Sequence, residues 1–206
     1  MFIELIPLLR GVKRMGYLRK LVGEKCYLSP VDSSETEKVA LWSNDIEVAI
    51  RTGDLSDMIT YEDQKAYLQN MSSNGGYGFY IVRKEDDEVI GIARLMRVNF
   101  INRNAIMGMF IGERDNRSKG MGTEATNLLL DFGFNVLNLR NIMIETFSFN
   151  EAAMSTCKKC GFKEIGRRRK SIIYGTNEYD EVFMDILNEE FKESIINKVL
   201  NKGKGE

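Results

Sequence analysis

No histidine occurs at any of the 206 positions of the chain. Ser-His-Asp hydrolysis, Cys-His nucleophilic catalysis and every histidine-ligated metal site are thereby excluded, and no metal site is expected. Protons must be moved by carboxylate, thiol, phenol, amine or water. Cysteine is scarce, with only Cys26, Cys157 and Cys160. Without a secretory signal pattern, this points to a reducing compartment, the cytoplasm. Proline is rarer still, and both residues, Pro7 and Pro30, lie near the start. No proline-marked linker divides the remainder, so residues 20–190 read as one domain, with residues 1–19 as an N-terminal extension and 191–206 as a C-terminal helix or tail. No apolar run approaches the ~20 residues that a membrane span needs. The net charge of -1 leaves neither sign in excess, which argues against nucleic-acid or anionic-membrane partners. The segment "MFIELIPLLRGVKR" does carry Phe2, Ile3, Leu5, Ile6, Leu8 and Leu9. It reads as a packed extra segment or as residues ahead of an internal start at Met15, with an amphipathic anchor as the alternative.

What remains is ordinary globular composition, 43% apolar and 29% charged, organised into alternating strand and helix signals. "KCYLSPV" reads as a strand and "SSETEKVALWSND" as a helix capped by Ser33 or Ser34. A second helix is expected from about Tyr61, stopped by Gly75-Gly76. "YGFYIVRK" and "EVIGIARLMRVN" form a hairpin around Glu85-Asp86-Asp87, and "AIMGMFIG" adds a third antiparallel strand. A helix from about Thr123 to Leu137 follows, with Ala125, Leu128, Leu129, Phe132 and Val136 on one apolar face. "NIMIETFSF" is a strand, "NEAAMSTCKKCG" a helix closed by Gly161, and the last two strands form a hairpin around Gly175-Thr176. "NEEFKESIINKVL" ends the order as a helix. Hairpins plus one strand-helix-strand crossover predict a mixed α/β domain. Its central sheet should be mostly antiparallel, with about six or seven strands and helices on both faces.

Between the meander and the long helix lies a basic, glycine-rich turn, "RDNRSKGMGT". A helix start leaves backbone N–H groups unpaired and carries partial positive charge, while glycine lets a ligand approach the backbone. Phosphate suits such a place, although a tight solvated turn would have the same look. Three phosphate loops compete. A P-loop ends in Gly-Lys-Ser/Thr, and this turn ends Gly120-Met121-Gly122-Thr123, so it fails. Gly120 to Ala125 matches the dinucleotide pattern G-x-G-x-x-A, and Glu145 lies about twenty residues on. That fold, however, needs the loop in its first strand-helix unit, and here a meander comes first. Arg117-Ser118-Lys119-Gly120-Met121-Gly122 matches the third pattern, Q/R-x-x-G-x-G/A. This turn resembles the pyrophosphate loop of the GNAT N-acetyltransferase family. Asn150, Ala153 and Gly161-Phe162 match that family's next strand-helix unit. Tyr179-Asp180 with Val182-Phe183-Met184 is similar to the branch of ribosomal-protein and spermidine acetyltransferases.

The resemblance implies acetyl-coenzyme A as cofactor, held in a V-shaped splay between "IMGMFIG" and "IMIETFSF". It implies that the backbone of Met109, Phe110 and Ile111 binds the pantetheine arm. Arg117, Ser118, Lys119, Gly120, Met121, Gly122 and Thr123 would hold the pyrophosphate, and Asn150 the arm from the other side. The implied reaction is direct attack by a neutral primary amine on the thioester, with a backbone N–H stabilising the oxyanion. At the residue seven places after Asn150, where many members carry a proton-donating tyrosine, this chain has Cys157. That thiol is either the donor or part of the core. Cys157-x-x-Cys160 as a zinc motif would need two further ligands. Glu145 is the better candidate base, Glu113 the other, and water also suffices. Asp45, Glu47, Asp54, Asp57, Glu62 and Asp63 form either an acceptor lining for a polyamine, a peptide N-terminus or a small amine, or a solvated face. Arg167-Arg168-Arg169-Lys170 is either a solvated strand or a cofactor-phosphate contact. A homodimer is a candidate assembly. The rival classes are a non-catalytic coenzyme A-binding module and a dinucleotide-binding enzyme.

Overall fold

The computed structural model describes residues 16–71, 75–192 and 194–202. The apolar segment of residues 1–14 and Met15 lie outside the described residues.

Alternating side chains build the centre of the molecule. Strands β1 (Leu21–Val22), β2 (Cys26–Pro30), β3 (Tyr77–Arg83), β4 (Glu88–Asn99) and β5 (Asn104–Ile111) form an antiparallel meander. β6 (Asn141–Phe147) joins β5 in parallel, and β8 (Asn177–Leu187) and β7 (Lys163–Tyr174) complete one sheet. The order is β1-β2-β3-β4-β5-β6-β8-β7, eight strands rather than six or seven. The addition is β1, whose two residues are too short for any period-two signal.

The helices differ from expectation in three places. The first begins with a 3-10 turn, Ser33–Glu35, capped by the Asp32 carboxylate on the Ser34 N–H, and α1 is Thr36–Ser43. Neither Ser33 nor Ser34 is its cap. Helix α2 (Ile46–Thr52) lies inside the acidic stretch, started by Asp45 and closed by Gly53 at φ 88°. Helix α3 (Tyr61–Asn70) starts at a Thr60–Asp63 capping box and ends ahead of Gly75. Helix α4 (Met121–Asp131) passes into a π-helical turn, Phe132–Val136, in which Leu137 N–H reaches Phe132 O at 3.0 Å. Helices α5 (Glu151–Lys159) and α6 (Ile195–Lys202) follow. Buried Asp131 accepts from the Ile195 and Ile196 N–H groups at 2.8 and 3.0 Å, so one carboxylate ends α4 and starts α6.

Two cores lie on opposite faces of the sheet. Leu128, Leu129 and Phe132 pack with Ile81, Leu95 and Met107 on one face. Val39, Trp42 and Leu68 pack with Tyr27, Tyr80 and Ile92 on the other. The sheet is thereby covered on both faces.

Candidate active site

The parallel pairing of β5 and β6 runs from Asn104↔Asn141 to Met107↔Ile144 and stops. Both strands continue, β5 to Ile111 and β6 to Phe147, so a wedge opens between them. Gly112 N–H bonds Ile90 O at 2.9 Å, and Ile92 lies opposite Phe110 in the same register. By strand alternation, the backbone groups of Phe110 therefore point to β4, and those of Met109 and Ile111 point into the wedge. The expectation for Phe110 is corrected on this ground. Phe110 lines the cleft, and its ring stands edge-on to Trp42 at 6.2 Å. The Ile111 carbonyl is partly engaged by Arg117 Nε at 3.3 Å, which leaves Met109 as the freest backbone in the wedge.

The glycine turn stands at the outer end of this wedge. Gly120, at φ 85°, is the N-cap of α4, and no side chain caps that end. The N–H groups of Met121, Gly122 and Thr123 occupy the first turn, where an α-helix has no acceptors of its own. A Cβ at Gly122 would meet only Met109 Cε, at 3.8 Å, so packing within the chain does not demand glycine there. Ser118 is also at positive φ, 61°, and with Lys119 is exposed. Arg117 is turned differently from a free phosphate ligand. Its Nη2 donates to Gly112 O at 2.7 Å, and its Nη1 lies 3.4 Å from Glu47. Lys25, unsuspected from the sequence, donates to Lys119 O at 3.0 Å and sets a second ammonium beside the turn.

Glu124 anchors this helix start. Its carboxylate accepts from the N–H groups of Glu24, Lys25 and Cys26 at 2.6, 2.8 and 2.8 Å. A Cβ at Gly23 would come within 2.5 Å of that carboxylate, so the turn between β1 and β2 is built around it. The contact spans a hundred positions of sequence and had no local signal.

A cleft of ≈ 660 Å³ runs from the wedge to α1, α2 and α3. Asn150 lines it from the far side, its Oδ1 capping α5 through Ala153 N–H at 3.3 Å, which leaves the Nδ2 donor for a ligand. Glu145 lines it too, exposed and one residue past the last parallel pair. Of the acidic stretch, Asp54, Asp57 and Asp63 face the cleft. Asp45 caps α2, and Glu47 faces Arg114 and Arg117. Glu113 is drawn off by Lys38, 3.5 Å away, and does not line the cleft. Arg167, Arg168 and Lys170 are exposed and face Glu164, Glu181 and Glu178 respectively, as a solvated strand does. Cys157 is absent from the lining. It is 3% exposed within the α4 core, and burial pushes its thiol up to about 12. Of the two expectations for Cys157, this packing is what the core one describes. Among the described residues no cluster of three or more metal-ligating side chains exists.

An aromatic group stands behind Phe147, which lines the cleft. Phe147 and Phe149 stack at 5.4 Å, and Tyr179 stands edge-on to Phe149 at 4.9 Å. Tyr174 donates to Ile50 O at 3.4 Å, tying the β7–β8 hairpin to α2.

Comparison with known proteins shows a family and a fold. A model of the acetyltransferase (GNAT) domain matches residues 25–163. The chain is similar to the probable N-acetyltransferase YjcK of Bacillus subtilis, 28% identical over 178 residues that cover 82% of this chain and 97% of that protein. It is 26% identical to the spermidine N(1)-acetyltransferase of Vibrio cholerae over 130 residues, 63% of this chain and 74% of that one. The solved structure of spermidine N-acetyltransferase from Vibrio cholerae, in complex with CoA and spermine, matches with a TM-score of 0.73 at 20% identity, a likeness of fold. It covers 82% of this chain and 98% of that one.

Proposed function

Since the chain belongs to the acetyltransferase (GNAT) family, it moves the acetyl group of acetyl-coenzyme A to an amine, and we propose that it does so in the wedge between β5 and β6. The observation that carries this reading is the end of parallel pairing at Met107 and Ile144, with an uncapped helix start beside it. The residues present fit the cofactor. Met121, Gly122 and Thr123 N–H groups, with Lys25 and Lys119, suit a pyrophosphate. Met109 backbone and Asn150 Nδ2 suit the amides of an extended arm. The bound cofactor supplies an activated thioester carbonyl.

The chain's own residues do the rest. An alkylamine of pKa ~10 must lose its proton before attack. Glu145, open to the cleft and without a partner among the described residues, accepts that proton. Met109 N–H donates to the carbonyl oxygen as charge develops on it. Cys157 takes no part: the second proton, which the nitrogen sheds as the amide forms, would pass to solvent or to the departing thiolate, whose pKa is near that of cysteine. Asp54 and Asp57 favour a cationic acceptor, whether polyamine, peptide N-terminus or small amine.

Location and assembly belong to the same proposal. Three free, buried thiols suit the cytoplasm, and a homodimer is the simplest assembly, which light scattering would check. Among the described residues no helix is long and apolar enough to cross a membrane.

Thiol release from acetyl-coenzyme A with a mixed amine panel tests the reading. Steady, amine-dependent release is expected. Binding of coenzyme A with no release above hydrolysis would favour a non-catalytic module. Stabilisation by NAD and not by coenzyme A would favour the dinucleotide reading.

A further inference from the structure

Two hydrogen-bond donors in the cleft have no hydrogen-bond partner among the described residues. Arg94 on β4 lies opposite Gly108 on β5, and a Cβ at Gly108 would come within 3.0 Å of Arg94 Nε. The glycine therefore makes room for the arginine to lie across the strand into the cleft. Its guanidinium sits 5.8 Å from the Tyr67 ring, and among the described residues no carboxylate is within ion-pair distance of it. Burial lowers the Arg94 pKa, and Asp54 offsets this only in part. An arginine so placed calls for an anion, because a half-buried cation without a partner is costly. Gln64 of α3 lines the same cleft and is 3% exposed. The Ser43 hydroxyl donates to Gln64 Oε1 at 3.1 Å, fixing the amide, while Nε2 is the one buried side-chain polar atom without a partner among the described residues.

Resting on the acetyl-transfer reading, we propose that the acceptor is an amine that also carries a carboxylate, held by Arg94 and Gln64 while its amino group faces Glu145. A planar guanidinium with one amide donor matches two coplanar oxygens. A singly charged carboxylate also suits a cleft that already holds Asp54, Asp57 and Glu145, where a phosphate dianion would be repelled. The acceptor is then of amino-acid type, with complementary charges at its two ends.

Matched pairs test this: lysine and cadaverine, phenylalanine and phenethylamine, leucine and isopentylamine. Each pair is titrated calorimetrically into protein saturated with coenzyme A and compared in thiol release. The carboxylate-bearing member is expected to win at least one pair by about 10- to 100-fold, as charge-assisted bonds do. In Arg94→Met that preference should collapse, and Arg94→Lys should restore part of it; thermal melting shows whether each variant is folded. Equal or better binding of every decarboxylated member, no binding by any, or a preference that survives in folded Arg94→Met, overturns the inference. A binding preference without thiol release with any amine would instead sink the acetyl-transfer reading alone.

Discussion

At the scale of single residues, Gly122 separates ligand binding from folding most sharply. A Cβ there would touch only the flexible end of Met109, at an ordinary contact distance of 3.8 Å, and valine has a higher helix propensity than glycine. Gly122→Val should therefore keep the melting temperature of the free protein while weakening coenzyme A by tenfold or more in a calorimetric titration. Unchanged affinity would leave the glycine turn a mere connection. Cys157 gives the opposite case. A thiol held near 12 by burial is a weaker acid than an ordinary thiol of pKa ~8.5 and so a poor donor to the departing thiolate, and the side chain packs in the core. Cys157→Ala should cost roughly 1 kcal/mol in urea unfolding and leave kcat within about threefold. A hundredfold fall in kcat at unchanged cofactor affinity would return the thiol to the mechanism. Its spacing from Asn150 was visible in the sequence, but whether that position faces wedge or core depends on how α5 rolls against α4.

At the scale of elements, the start of α4 depends on a partner far away in sequence. Glu124→Ala removes the acceptor for three backbone N–H groups in the turn between β1 and β2. A loss of about 1–3 kcal/mol is expected, since those donors are half open to water, together with weaker coenzyme A binding through the displaced turn. Full stability in a denaturant series would contradict that anchoring. The meander strands were readable because their apolar alternation is local, and so was the glycine turn. Helix α2 was not: its acidic residues look like a solvated run until Asp45 and Gly53 are recognised as its two caps. The parity of β5 was also hidden. Which of Met109 and Phe110 offers its backbone to the wedge depends on pairing with β4, and that register shifts between Met96 and Asn99. Arg94 and Gln64 meet in the cleft only because β4 and α3 are brought to one face, which no spacing announces.

At the scale of the whole molecule, buried thiols make stability depend on alkaline pH. Cys157 is raised to about 12 and Cys160 to about 11, and burial pushes Cys26 up as well. In the unfolded chain these thiols ionise near pH ~8.5. The native state then holds more protons than the unfolded one, so their contribution is intact below about pH 8.5 and is lost as pH rises, to about 11 for Cys160 and about 12 for Cys157. Each thiol can contribute up to about 1.4 kcal/mol per pH unit. Urea unfolding between pH 8 and 11 should show this decline, with a shallower slope in Cys157→Ala; identical slopes would contradict it.

The central claim, that the wedge and the start of α4 together receive acetyl-coenzyme A, is tested most directly by amide shifts in a ¹H–¹⁵N correlation spectrum during coenzyme A titration. The Met121, Gly122 and Thr123 amides should move downfield together with Met109, while Ile173 and Glu178 on the β7–β8 hairpin, outside the cleft lining, stay in place. Saturating coenzyme A that leaves those four amides unmoved would contradict the account.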